Sequence, residues 1–420
     1  ADGANSAYAI DVDSDGDMDL LSASENDDEV KWYQNDGNQV FTEITISTAV
    51  TNPTDVFSID LDGDGDIDVL SCQRSSERIN WYENDGSENF TDNIIDTYGN
   101  VDVRAIFAID LDGDGDIDVL TALERGDDIL WYENDGSQNF TRRDIDNNAN
   151  GAYDVFAIDV DSDGDIDVLS ASRVDDNVVW YENDGSENFN KIQINGTANG
   201  VRSVYAIDMD SDGDIDVLSA DFDDDNVTWY ENDGSENFTE ITINNSTDGP
   251  ISVFAIDMDN DGDIDVVNAS FNDDEIIWYE NDGNENFTES SISSNANGAT
   301  SVYAIDMDND GDIDPLSSSF NDDKIAWYEN DLLPEACPGD IQFTETGGDA
   351  ITWSWSSNGS ATFDDNTIQS PVVSGAVDGE IFTVDIGVGA CSNTTSVQVN
   401  ISTSVPNDSY SVSDPTIAAS

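Results

Sequence analysis

The chain of 420 residues carries 94 acidic and 11 basic side chains and no histidine, a net charge of −83. That surplus excludes nucleic acid and anionic membranes as partners, and the missing histidine removes the commonest general base, zinc ligand and triad member. Hydrophobic residues at 37% and aromatics at 9% still suffice for packed cores, so the chain is read as folded.

The first apolar run leads into Asp11-Val12-Asp13-Ser14-Asp15-Gly16-Asp17-Met18-Asp19. The pattern D-x-D-x-D-G-D-x-D then returns six times, every 49 or 50 residues. Its aspartates are Asp60, Asp62, Asp64, Asp66 and Asp68, then Asp110, Asp112, Asp114, Asp116 and Asp118. Next come Asp159, Asp161, Asp163, Asp165 and Asp167, and Asp208, Asp210, Asp212, Asp214 and Asp216. The last two copies are Asp257, Asp259, Asp261, Asp263 and Asp265, and Asp306, Asp308, Asp310, Asp312 and Asp314. Oxygen ligands two residues apart on a tight loop converge on one hard cation, and calcium, with its many oxygens and loose geometry, suits such a loop best. By analogy with the EF-hand loop, positions one, three and five give side-chain oxygens and position seven a backbone carbonyl, while the glycine permits the turn. An acidic surface turn is the plainer reading, but unliganded carboxylates this close repel one another in every copy. About seven Ca²⁺ are expected, one per repeat.

Each repeat continues in the same way. Val253-Phe254-Ala255-Ile256 precedes a loop and Asp265-Val266-Val267 follows it; Glu275-Ile276-Ile277-Trp278-Tyr279-Glu280 comes next, then an Asn281-Asp282-Gly283 turn and Phe287-Thr288-Glu289. Period-two alternation rich in β-branched and aromatic residues predicts strands, and N-D-G predicts a tight hairpin turn. Four short antiparallel strands, seven times over, predict a seven-bladed β-propeller, with a linear β-solenoid as the other arrangement considered. Trp32, Trp81, Trp131, Trp180, Trp229, Trp278 and Trp327 occupy one position per repeat, each followed by tyrosine. They are expected to fill the wedges between blades rather than to form a ligand girdle.

The Asp loop followed by W-Y-E-N-D-G resembles the FG-GAP/VCBS-type repeat, similar to the repeat of integrin α-subunit heads. The resemblance spans about residues 1–333. It implies that the cation loop joins the first two strands of each blade and is mainly structural, in all seven copies. The family also includes lectins and non-catalytic modules of polysaccharide-degrading enzymes, so membership leaves the function open.

From about Leu332 the acidic density falls and Ser, Thr and Gly rise. Alternating runs within 335–403, with Cys337 and Cys391 near the two ends, resemble a small immunoglobulin-like or PKD-like β-sandwich, and 404–420 reads as a linker or tail. The expected fold is therefore all-β, a propeller followed by a small sandwich. A Cys337–Cys391 bridge would suit an oxidising compartment; Cys72 is expected to be a buried small side chain.

The seventh repeat is incomplete. A fourth strand opens at Phe41, Phe90, Phe140, Phe189, Phe238 and Phe287, whereas Trp327 is followed by Asn330-Asp331-Leu332-Leu333-Pro334, without the turn glycine. Blade seven then either stays short or is completed by Gln342-Phe343-Thr344-Glu345, by the tail, or by another copy, which would build a head-to-tail polymer.

The basic residues are scattered along the chain, with no evident arginine clamp, and no carboxylate pair stands apart from the repeat. No catalysis is therefore expected. Arg125-Gly126-Asp127 falls in a turn and the Asn-Phe-Thr sequons at strand starts, and both are expected to be incidental to the repeat. No run of about eighteen apolar residues occurs, so no membrane insertion is expected. Ala1 falls within the repeat phase and reads as a mature N-terminus after processing. Since cytosolic free calcium is too low for modest sites, the expectation is an extracellular or cell-surface structural or adhesive protein. Its partners would be itself, another surface protein or a glycan. A calcium-dependent lectin-like module is the alternative.

Overall fold

The computed structural model describes residues 1–330 apart from Ser76 and Asn100. Beyond them it describes the backbone of the strands Ile351–Ser357, Thr362–Phe363, Val372–Ser374, Ile381–Val388, Cys391–Gln398 and Tyr410–Ser411. The chain divides into two units, Ala1–Asn330 and Asp331–Ser420. Among the described residues there are strands and turns but no helix, and hence none to cross a membrane.

The first unit is a seven-bladed propeller. Blades one to six are four-stranded antiparallel meanders whose strands pair in chain order. Blade four shows why the alternation specifies them. Its strands are Ala152–Ile158, Asp167–Ser172, Asn177–Asn183 and Phe189–Asn195. Register aligns Phe156 with Leu169, Leu169 with Trp180 and Trp180 with Ile192, one apolar row across the sheet. This row packs on Val201, Val204 and Val217 of blade five, while Val155, Val168, Val179 and Tyr181 pack on blade three. Both faces of each central blade are thus interior, which is why strand two is buried at every residue.

The tryptophans lie in the wedges as expected. Trp32, Trp131, Trp180 and Trp229 are essentially fully buried and meet Phe90, Phe189, Phe238 and Phe287 of the next blade edge-on, at 6.2–6.4 Å between ring centroids. A second aromatic set, on the innermost strands, has no obvious period-two signature. Tyr8, Phe57, Phe107, Phe156, Tyr205, Phe254 and Tyr303 each contact the next, and Tyr303 contacts Tyr8 at 4.8 Å, so seven rings close a circle around the axis.

Among the described residues blade seven has three strands, Ala299–Ile305, Asp314–Ser319 and Lys324–Trp327, and the first strand of the chain, Ala4–Ile10, is the inner strand of blade one. Among the described residues no strand is shared across this seam. Side chains close it instead: Thr300 Oγ1 donates to the Ala4 carbonyl at 2.8 Å, Ser318 Oγ to that of Asn5 at 3.1 Å, and Ala7 N–H donates to Ser301 Oγ at 3.1 Å. The proposed local donor, Gln342–Glu345, lies outside the described residues, as does Cys337 of the expected disulfide. Cys72 is buried and free.

In the second unit, Ile351–Ser357, Ile381–Val388 and Cys391–Gln398 form one antiparallel sheet. Thr362–Phe363, Val372–Ser374 and Tyr410–Ser411 form another, the last strand coming from the stretch read as a tail.

Candidate metal centres

Each Asp loop joins strand one of a blade to strand two, at the ends of the inner strands, and every loop position is among the described residues. In blade four, the carboxylate of Asp159 at position one accepts from the main-chain N–H groups of Asp163 (3.1 Å) and Gly164 (3.0 Å). Asp161 Oδ1 at position three also accepts from Asp163 N–H (3.2 Å), and Asp163 Oδ1 accepts from Asp165 N–H (2.9 Å). The glycine at position six has φ between +98° and +100° in all seven copies, the left-handed turn that the sequence predicts.

The oxygens that converge differ in part from the EF-hand analogy. Carboxylate oxygens of Asp60, Asp62 and Asp68 lie within 4.8 Å of one another, as do those of Asp110, Asp112 and Asp118, of Asp159, Asp161 and Asp167, and of Asp208, Asp210 and Asp216. Position nine thus joins positions one and three there, whereas in the first loop Asp11, Asp13 and Asp15 come together. Position nine is the buried anchor. Asp167 is 1% exposed; its Oδ2 accepts from Val160 N–H at 3.0 Å and its Oδ1 from Asn183 N–H at 2.7 Å. Burial pushes Asp68, Asp118, Asp167, Asp216 and Asp265 up to about 7, and Asp19 and Asp314 to about 6, despite their main-chain donors. Burial, joined by the neighbouring loop carboxylates, also raises Asp62, Asp161 and Asp259 at position three.

Position seven has a role that the spacing does not reveal. The Asp165 carboxylate lies against Gly185 of the N-D-G turn, so that a Cβ added there would sit 3.0 Å from Asp165 Cγ and closer still to Oδ2. The same contact recurs at Gly37, Gly86, Gly136, Gly234 and Gly283. The asparagine of this turn is likewise committed: Asn183 Oδ1 accepts from Gly185 N–H (3.2 Å), and its Nδ2 donates to the Ile166 carbonyl (3.0 Å). N-D-G is therefore not a two-residue hairpin but the start of a five-residue loop clamped onto the Asp loop. Asp184 closes that loop by bonding both oxygens to Asn188 Nδ2 at 3.1 Å, which holds its carboxyl below the usual range.

Two motifs are absorbed by the same scaffold. The sequon asparagines Asn89, Asn139, Asn237 and Asn286 hold their turns through Asp85, Asp135, Asp233 and Asp282. Asp127 of the Arg-Gly-Asp turn accepts from Gly151 N–H at 3.0 Å across the blade boundary, as Asp176 does from Gly200 at 3.1 Å. The Tyr-Glu-Asn-Asp-Gly segments, on which a sugar-binding reading rests, turn their tyrosines inward: Tyr82, Tyr132, Tyr181, Tyr230 and Tyr279 are all buried.

The donor set fits a hard divalent cation. Its converging side-chain donors are carboxylates, several of them desolvated. Asp110 Oδ1 is buried with no hydrogen-bond partner among the described residues, a cost of about 1–3 kcal/mol that a cation would remove. Residues at positions one, three and nine would hold the ion, and the ion would supply the positive charge that these groups lack.

A model of the FG-GAP-like repeat matches residues 11–71, 60–121, 110–170, 159–219, 208–268 and 257–317. No curated protein matches the chain. Among solved structures, a crystal structure of a protein from Lactobacillus plantarum aligns with 12% identity over 64% of this chain and 80% of that one, at a TM-score of 0.47. The six repeat matches together span most of the chain, which belongs to the FG-GAP-like repeat family.

Proposed function

We propose that this chain is an extracellular structural or adhesive protein whose propeller is made rigid by calcium, one ion in each Asp loop. The observation that carries the reading is the convergence of desolvated carboxylates in loop after loop, with a buried, unpartnered oxygen on Asp110. Each ion would offset part of its loop's negative charge and tie strand one to strand two of its blade. A site held at a hundred times its dissociation constant stabilises the fold by about 2.7 kcal/mol. The test is a thermal melt with excess calcium and after EDTA treatment: a large fall in melting temperature is expected, and an unchanged melt overturns the calcium reading. No catalytic role is assigned. The C-terminal region is read as an appended immunoglobulin-like sandwich.

Blade seven, three-stranded among the described residues, supports a second element of the proposal. Its Lys324–Trp327 edge is a template for strand addition, and another copy of the chain docking there would give head-to-tail filaments. Electron microscopy of concentrated, calcium-loaded protein tests this, and strictly monomeric particles would sink it.

A further inference from the structure

The basic residues are scattered in sequence, but five of the eleven gather in space. Five of the eight arginines, Arg74, Arg104, Arg125, Arg173 and Arg202, line one basin of about 680 Å³ at the end of the ring opposite the Asp loops. Three carboxylates share its wall: Asp102, Glu124 and Asp127. In a chain of charge −83, a pocket where guanidinium groups outnumber carboxylates is an exception that needs a cause.

Repeat register shows how it is built. Glu25, Arg74, Glu124, Arg173 and Phe222 occupy equivalent positions just beyond or at the end of strand two in blades one to five. Opposite charges alternate around this arc. Arg74 pairs with Glu25 at 3.4 Å and Arg173 with Glu124 at 2.5 Å. Arg104 also pairs with Glu124, and Asp102 takes Arg74 and Arg125, both at 3.3 Å. The two buried acids, Asp102 and Glu124, are thus each shared by two arginines. The alternation stops at blade five, where the next acid would stand and Phe222 stands instead.

Arg202 is the arginine left over. Its guanidinium lies over the Phe222 ring at 3.4 Å from the centroid and 5.6 Å from that of Tyr153, which Arg104 also covers at 5.0 Å. Among the described residues no carboxylate comes within 4.0 Å of it, and the buried Nε atoms of Arg202 and Arg173 have no hydrogen-bond partner. Asp55 and Asp154 line the adjoining narrow shaft, but their oxygens already accept main-chain N–H bonds from Ile106 (3.0 Å) and Val204 (2.9 Å). Val174, 53% exposed, adds an apolar wall to the basin.

We propose that this basin binds a small organic oxyanion, a carboxylate or sulfate ester carried on a sugar-sized body, with Arg202 as its principal partner. A guanidinium fork matches either oxyanion, and the volume falls within the roughly 300–1,000 Å³ of small-molecule pockets. A long polyanion is disfavoured, since beyond the basin it would meet the repulsion of a chain of net charge −83. The site does not depend on the calcium reading, because it lies at the other end of the blades.

Calorimetric titration of the calcium-loaded full chain with glucuronate, glucose 6-sulfate and glucose tests this. Binding of either anion but not of glucose, weakened by added salt, is expected; which anion responds identifies the carboxylate or the sulfate source. Arg202→Gln is expected to weaken binding about tenfold or more, Arg202→Lys to restore part of it, and Arg142→Gln, outside the basin, to leave it unchanged. If Arg202→Gln does not fold, Arg173→Gln is expected to show the same loss. No heat with either anion, equal binding of glucose, or full affinity in folded Arg202→Gln overturns the proposal.

Discussion

Replacing Gly185 by alanine tests whether the N-D-G turn and the cation loop act as one unit. At Gly185 φ is +67°, and a Cβ would meet the Asp165 carboxylate. Gly113, at position four of its loop, supplies the control: φ is +74°, nothing lies within 4 Å, and Ser162 occupies the equivalent place in blade four at φ +62°. Both substitutions carry the same backbone cost, about 1 kcal/mol for a left-handed residue with a side chain. Only Gly185→Ala must also push a carboxylate aside, which adds about 1–3 kcal/mol by analogy with overpacked interiors. Gly113→Ala is therefore expected to cost about 1 kcal/mol and Gly185→Ala about 2–4 kcal/mol. Urea unfolding in saturating calcium, followed by the fluorescence of the buried tryptophans, measures both. Calcium titration of Gly185→Ala should also show one weakened site, since Asp165 belongs to that loop. Equal costs for the two variants would refute the coupling between turn and loop.

Asp167→Ala removes both acceptors of a buried anchor and leaves Val160 and Asn183 N–H groups unpaired, so a loss of about 2–5 kcal/mol is expected, with hydrogen exchange rising first in blade four. Burial pushes Asp55 up to about 6 and Asp154 to about 7. Because these folded-state values exceed the unfolded one, their contribution is fully present below about pH 4 and is lost as pH rises through 6 to 7. Calcium-saturated protein should accordingly be less stable at pH 8 than at pH 5, and the double variant Asp55→Asn, Asp154→Asn should flatten that slope; an unaltered slope would contradict the assignment. At the seam, Thr300→Val with Ser318→Ala removes the bonds to Ala4 and Asn5 and should lower stability by about 1–3 kcal/mol. The equivalent losses elsewhere in the ring, where the chain runs on from blade to blade, should be smaller, as comparison with Thr54→Val would show.

Much of the candidate site is legible in one repeat. The nine-residue spacing places the glycine turn correctly and brings positions one and three together, because both depend on local backbone geometry. The share taken by Asp167 and its counterparts is not legible there, since it depends on Asn183, sixteen residues on, drawing position nine inward. The turn glycine likewise reads as hairpin chemistry until Asp165 is seen against it. The arginine basin was open to a reader who aligned residues by repeat register: Arg104, Tyr153 and Arg202 share one inner-strand position, and Glu25, Arg74, Glu124 and Arg173 another. Read along the chain instead, they look dispersed.

Strand positions, blade count and the incomplete seventh repeat follow from the order of residues alone, because alternation and turn chemistry act within about fifty residues. Closure does not. The circle of rings from Tyr8 to Tyr303, the side-chain bonds across the seam and the gathering of five arginines join residues up to about 300 positions apart. They exist only once equal blades turn about one axis and bring equivalent positions side by side.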